Sequence, residues 1–188
     1  MNKKYFYIFL LIAFAFCLNG CLVYESKEYS FKLKNGNSGE GVIKFVNIMS
    51  QKNDTNETLE TNYETLIEQY YNGKKIEDEL TGGKNFSKRF YEEDNRLCAE
   101  IKFEFEDITK MKFYKYKDEG PWCYHIQVFS MGMMGGSEHF FKSNGEWGGE
   151  TMPVIFWNGN NKKLEFTTTS TTPSEKTTSL LGLWKERK

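Results

Sequence analysis

Leu97, Ala99, Ile101, Phe103 and Phe105 alternate with Cys98, Glu100, Lys102, Glu104 and Glu106, giving a segment one apolar face and one charged face. This period of two predicts a β-strand over residues 97–106, in an antiparallel sheet covered on one side only. The same alternation marks Tyr29, Phe31 and Leu33 against Ser30, Lys32 and Lys34. With the turn residues 35–39 and a return strand over 41–48, it predicts an N-terminal β-hairpin. Further strands are expected over 86–92, 112–117 and 122–129. Turn signals at 143–145 and 158–163 predict two more hairpins.

The period changes once. Tyr63, Leu66, Ile67, Tyr70 and Tyr71 recur at three and four, Thr61 and Glu64 have the form of a capping box, and Gly73 supplies a stop. One amphipathic helix is therefore expected, packing its stripe on the sheet. The expected fold class is α+β: an antiparallel meander with an N-terminal hairpin and one main helix on one face. Leu180, Leu181, Leu183 and Trp184 form a last apolar cluster, too short to span a bilayer and expected to dock on the core.

The N-terminus follows a different logic. Lys3 and Lys4 precede a 14-residue apolar run, residues 5–18, short of the ~20 that a spanning helix needs. The run closes on Leu18-Asn19-Gly20-Cys21. This tetrapeptide resembles the lipobox of bacterial lipoproteins, with Leu18 three positions before the cysteine and Gly20 directly before it. Asn19 is less usual at its place than Ala or Ser. The resemblance implies removal of residues 1–20, a diacylglyceryl thioether on Cys21, and often acylation of the new amino group. It covers only the first two dozen residues. It further implies a bacterial envelope protein, and Leu22 and Val23, neither of them acidic, favour the outer membrane. Residues 21–27 are then expected to be a lipidated tether and 28–188 a single globular domain.

Charge and chemistry narrow the picture. Losing Lys3 and Lys4 with the signal takes the formal charge from −1 to −3, so no basic excess points to nucleic acid, and lipid rather than surface charge would hold the protein at the membrane. Cys98 and Cys123 remain as one possible disulfide or as two free thiols. The only histidines are His125 and His139. No G-x-S-x-G surrounds a serine, no glycine run forms a phosphate cradle, and Cys123 with His125 lacks the ligand spacing of a structural zinc. No catalytic residue, metal or cofactor is expected. Met131, Met133 and Met134 sit among glycines, a soft and adaptable contact segment. The expected function is a non-enzymatic binding or adaptor domain with an unknown protein partner. The alternative is a carrier or sensor holding an apolar ligand between helix and sheet, and an unrecognised enzyme ranks third.

Overall fold

The computed structural model describes residues 22–34, 36–52, 58–117, 119–126, 138–170, 173–174 and 176–188. The chain enters directly as a strand. β1 (Leu22–Leu33) pairs antiparallel with β2 (Gly39–Gln51), Leu22 opposite Ser50 and Leu33 opposite Gly39. Gly36, at φ +57°, supplies the left-handed residue of the turn.

The expected tether is corrected here: residues 22–27 belong to β1, and Leu22, Val23 and Tyr24 are buried. Their alternation is hidden by a change of phase. Buried positions are odd from Lys27 to Leu33, whereas Leu22 and Tyr24 lie on even numbers. β2 makes the matching change, from Ile43 and Phe45 to Ile48, around Asn47 at φ +57°, whose Nδ2 donates to Glu25 Oε2 at 2.9 Å.

The helical segment begins earlier than its motif suggested. Thr58, not Thr61, caps α1 (Leu59–Thr65): Thr61 N–H donates to Thr58 Oγ1, and Thr58 N–H donates to Thr61 Oγ1. The chain then widens into a π-helical turn, Leu66–Tyr71, in which Asn72 N–H reaches back five residues to Ile67 O. A short α2 (Lys75–Glu79) follows. Tyr63, Leu66, Tyr70 and Ile76 are buried by this layer.

β3 (Gly83–Glu93) and β4 (Arg96–Phe105) form the next hairpin, with every apolar residue of the 97–105 alternation buried. A 3₁₀ turn, Ile108–Met111, leads to β5 (Phe113–Lys115) and β6 (Trp122–His125). Later elements are β7 (His139–Ser143), β8 (Glu146–Trp147), β9 (Val154–Trp157), β10 (Lys163–Thr169), β11 (Thr177–Ser179) and α3 (Leu181–Glu186). Leu180 and Leu181 are buried, and Leu183 and Trp184 pack on the core.

Among the described residues the strands form two antiparallel sheets. The larger, of seven strands, runs β3-β4-β2-β1-β10-β7 with β11 beside β2; the smaller runs β5-β6-β9-β8. The architecture is α+β with an N-terminal hairpin, as expected. The turns at 143–145 and 158–163, however, do not close hairpins. β7 pairs with β10 in the large sheet while β8 pairs with β9 in the small one, so each turn carries the chain from one sheet to the other.

Both covers lie on one face of the large sheet. The helical layer sets Leu66, Tyr70 and Ile76 near Phe45, Ala99 and Ile101. The small sheet sets Tyr124 4.6 Å from Phe166 and Phe113 4.9 Å from Phe31, ring centre to ring centre.

Candidate functional site

A lysine on the covered face is the first departure from an ordinary core. Lys27 holds an inward position of β1 in line with Tyr29 and Phe31, and is fully buried. Its Nζ lies 2.7 Å from Glu138 Oε1, 4.6 Å from the centre of the Tyr24 ring and 4.9 Å from that of Phe45. Tyr24 Oη donates to the same oxygen at 2.9 Å. Tyr29 Oη reaches Oε2 at 3.0 Å, and Thr168 Oγ1 donates to Oε2 at 2.6 Å.

Burial pushes the Lys27 ammonium below the usual lysine range, against the pull of Glu138. Burial also raises the Glu138 carboxyl, but Lys27 and its hydroxyl donors outweigh that effect and hold it below the ordinary value. Burial first, and the Glu138 charge second, drive Tyr24, Tyr29 and Tyr124 well above the usual phenol range. Both oxygens of the carboxylate are thus occupied by an ammonium and three hydroxyls. This arrangement is built to hold residue 138 against β1 and β10. It offers no free lone pair suited to taking a proton from a substrate.

Between the helical layer and the large sheet, the gap bordered by Phe45, Leu66, Tyr70 and Ile101 measures about 20 Å³. That is room for about one water and far too little for an apolar ligand.

Two larger hollows open to solvent. One, of about 590 Å³, lies on the uncovered face of the large sheet, where Lys44 faces Glu28 at 3.8 Å, Lys102 faces Glu100 at 3.2 Å and Ser30 donates to Glu165 at 3.0 Å. These three pairs of polar groups already serve one another.

The second, of about 500 Å³, is lined by rings: Tyr63, Tyr71, Phe90 and Trp184, with Ile67 between them. The π-turn places Ile67 and Tyr71 on this side while Leu66 and Tyr70 face the core. Tyr71, 40% exposed, stacks on Phe90 of β3 with ring centres 4.9 Å apart, and α3 brings Trp184 from the other end of the chain. Arg187 lies over the Tyr63 ring at 5.4 Å and within 3.7 Å of Glu64, and Lys188 lies over Trp184 at 4.6 Å. An open hollow with large apolar rings and a few charged groups at its rim can release much water on contact, and is the stronger candidate for binding.

Comparison with protein-family models, with curated proteins and with solved structures finds no match for this chain. The site therefore rests on its own residues.

The residues singled out in the sequence are not gathered at this groove. Leu18, Asn19, Gly20 and Cys21, and likewise Met131, Met133 and Met134, lie outside the described residues. Cys98 and Cys123 are both buried free thiols, one on β4 of the large sheet and one on β6 of the small sheet, so the possible disulfide is not formed. Burial raises the pKa of each thiol, the opposite of a reactive cysteine. Among the described residues no group of three potential metal ligands comes together, and no helix is long and apolar enough to cross a membrane.

Sequence reasoning missed Lys27 and Glu138. Lys27 did carry a signal, since it shares the odd parity of Tyr29, Phe31 and Leu33; assigning it to a tether concealed that. Glu138 carried none. The groove was partly visible, because Tyr63, Ile67 and Tyr71 belong to the predicted stripe, but Phe90 and Trp184 reach it only through tertiary packing.

Proposed function

We propose that the protein is a lipid-anchored binding domain of the bacterial envelope, held through Cys21 and contacting a protein partner with the aromatic groove of Tyr63, Ile67, Tyr71, Phe90 and Trp184. The observation that carries the binding role is the contrast between that open, ring-lined groove of about 500 Å³ and the gap of about 20 Å³ beneath the helices. The lipobox resemblance of residues 18–21 supports the anchor. No step of covalent chemistry is part of this reading.

Two experiments test its halves. Replacing Cys21→Ser abolishes incorporation of labelled fatty acid and releases the protein from membranes; a variant that stays bound at its unprocessed mass would establish an uncleaved anchor instead. A photo-crosslinking residue at position 71, in intact cells, gives a discrete adduct that Trp184→Ala removes. Adducts from position 102 on the uncovered sheet face, with none from 71, would move the contact surface to that face.

A further inference from the structure

We infer that the bilayer lies against one defined end of the large sheet, the end where β1 begins, and that Gln51, Lys52 and Lys176 share the headgroup layer with the lipid attachment. The inference rests on the proposed lipidation of Cys21 and deepens it by naming the surface that meets the membrane.

Covalent geometry carries the first step. Cys21 precedes Leu22 by one peptide bond, so their Cα atoms are about 3.8 Å apart. Leu22 is already a buried residue of β1, paired with Ser50, so no flexible spacer separates the thioether from the rigid sheet. With the acyl chains in the hydrocarbon, Cys21 is confined to the polar layer, about 5–8 Å thick on each side. The sheet must begin there.

Register carries the second step. β2 runs antiparallel to β1, and Leu22 lies opposite Ser50, so Gln51 and Lys52 extend one and two residues beyond the level of Leu22, at the end of the sheet where the chain enters. β11 is the next strand, with Thr177 opposite Gln51, and Lys52 N–H donates to Lys176 O at 2.6 Å. With strands spaced about 4.8 Å apart, these positions stand one and two spacings from the anchor. Gln51, Lys52 and Lys176 are exposed.

The opposite end is equally defined. Leu33 N–H donates to Lys162 O, placing residue 162 beside the far end of β1. Twelve strand steps from residue 21 to residue 33, at about 3.3 Å each, put it roughly 40 Å from the anchor along the strand. Contact at the near end is imposed by the tether rather than by charge, since Asp54, Glu57 and Glu175 in the adjoining sequence offset Lys52 and Lys176.

The test uses the lipidated protein, cleaved before Cys21, reconstituted into phosphatidylcholine–phosphatidylglycerol vesicles carrying a headgroup-attached acceptor dye. Donor dyes are placed at K52C and K162C, with Cys98 and Cys123 shielded by burial. Transfer efficiency should be several-fold higher from position 52 than from 162, and unchanged between low and high salt. Equal transfer from both positions, or stronger transfer from 162, overturns the inference. So does a difference that collapses in high salt, because the contact would then be electrostatic. Intact-mass measurement of the same samples separates the two layers of argument. A protein with acyl mass but equal transfer leaves the anchor standing and removes the orientation, whereas a missing acyl mass removes the anchor and the orientation with it.

Discussion

Two lysine–glutamate pairs in this protein have the same separation and opposite surroundings. Lys27 and Glu138 meet at 2.7 Å with side chains 0% and 2% exposed; Lys84 and Glu106 also meet at 2.7 Å, but 48% and 76% exposed. Distance alone therefore says little about what either pair contributes. Water decides it: the outer pair trades one set of solvated contacts for another, while the inner pair has given up hydration that only its partners can replace.

The largest expected effect comes from breaking the inner pair on the acidic side. Glu138→Ala leaves the ammonium without its partner and removes the acceptor of Tyr24, Tyr29 and Thr168, and should cost about 3–5 kcal/mol in urea unfolding of the protein. Lys27→Met should cost less, because three hydroxyls still donate to the carboxylate. The double replacement Lys27→Met with Glu138→Ala should be more stable than Glu138→Ala alone; a double variant as unstable as the sum of its two single replacements would show that the two groups are not coupled.

Titration sharpens the same contrast. The folded Glu138 has a lowered pKa, so its contribution is complete above the unfolded value of 4.5 and is lost as pH falls through the folded one. On the alkaline side the raised phenols of Tyr24, Tyr29 and Tyr124 keep protons that the unfolded chain releases above 10.0, so stability should fall as pH rises beyond that value. Lys27 acts in the opposite sense, its lowered pKa adding stability with rising pH only up to the unfolded 10.5. The urea midpoint should therefore decline above about pH 10.5, and Tyr29→Phe should make that decline shallower. The smallest effect is expected at the outer pair: Lys84→Ala should leave the urea midpoint unchanged, and a measurable drop there would break the comparison.

Much of the fold was legible because its alternation is local. Residues 97–105 name their own inward face, and the 29–33 stretch with Gly36 names the hairpin. Two features were not legible, for different reasons. The turns at 143–145 and 158–163 have the same chemistry whether or not their flanking strands pair, and the choice was made by distant partners, β10 for β7 and β9 for β8. The start of β1 was hidden because Glu25, Ser26 and Lys27 look like solvent-facing chain; a change of phase at Asn47 and a carboxylate 111 residues away were needed to bury that lysine. The groove was half legible for the same reason: its helical rings follow a period, whereas Phe90 and Trp184 arrive by packing.

The partners of β1 also set an order of events. Among the described residues it is the first strand in chain order, yet Lys27 must wait for residue 138 and Ser26 for Thr169 before both have their native neighbours. Closing such long loops is slow compared with forming the adjacent hairpin, so the segment next to the proposed lipid site is among the last to be locked in place. A chain halted before residue 138 has an unsealed first strand. The beginning of this protein is completed by its end.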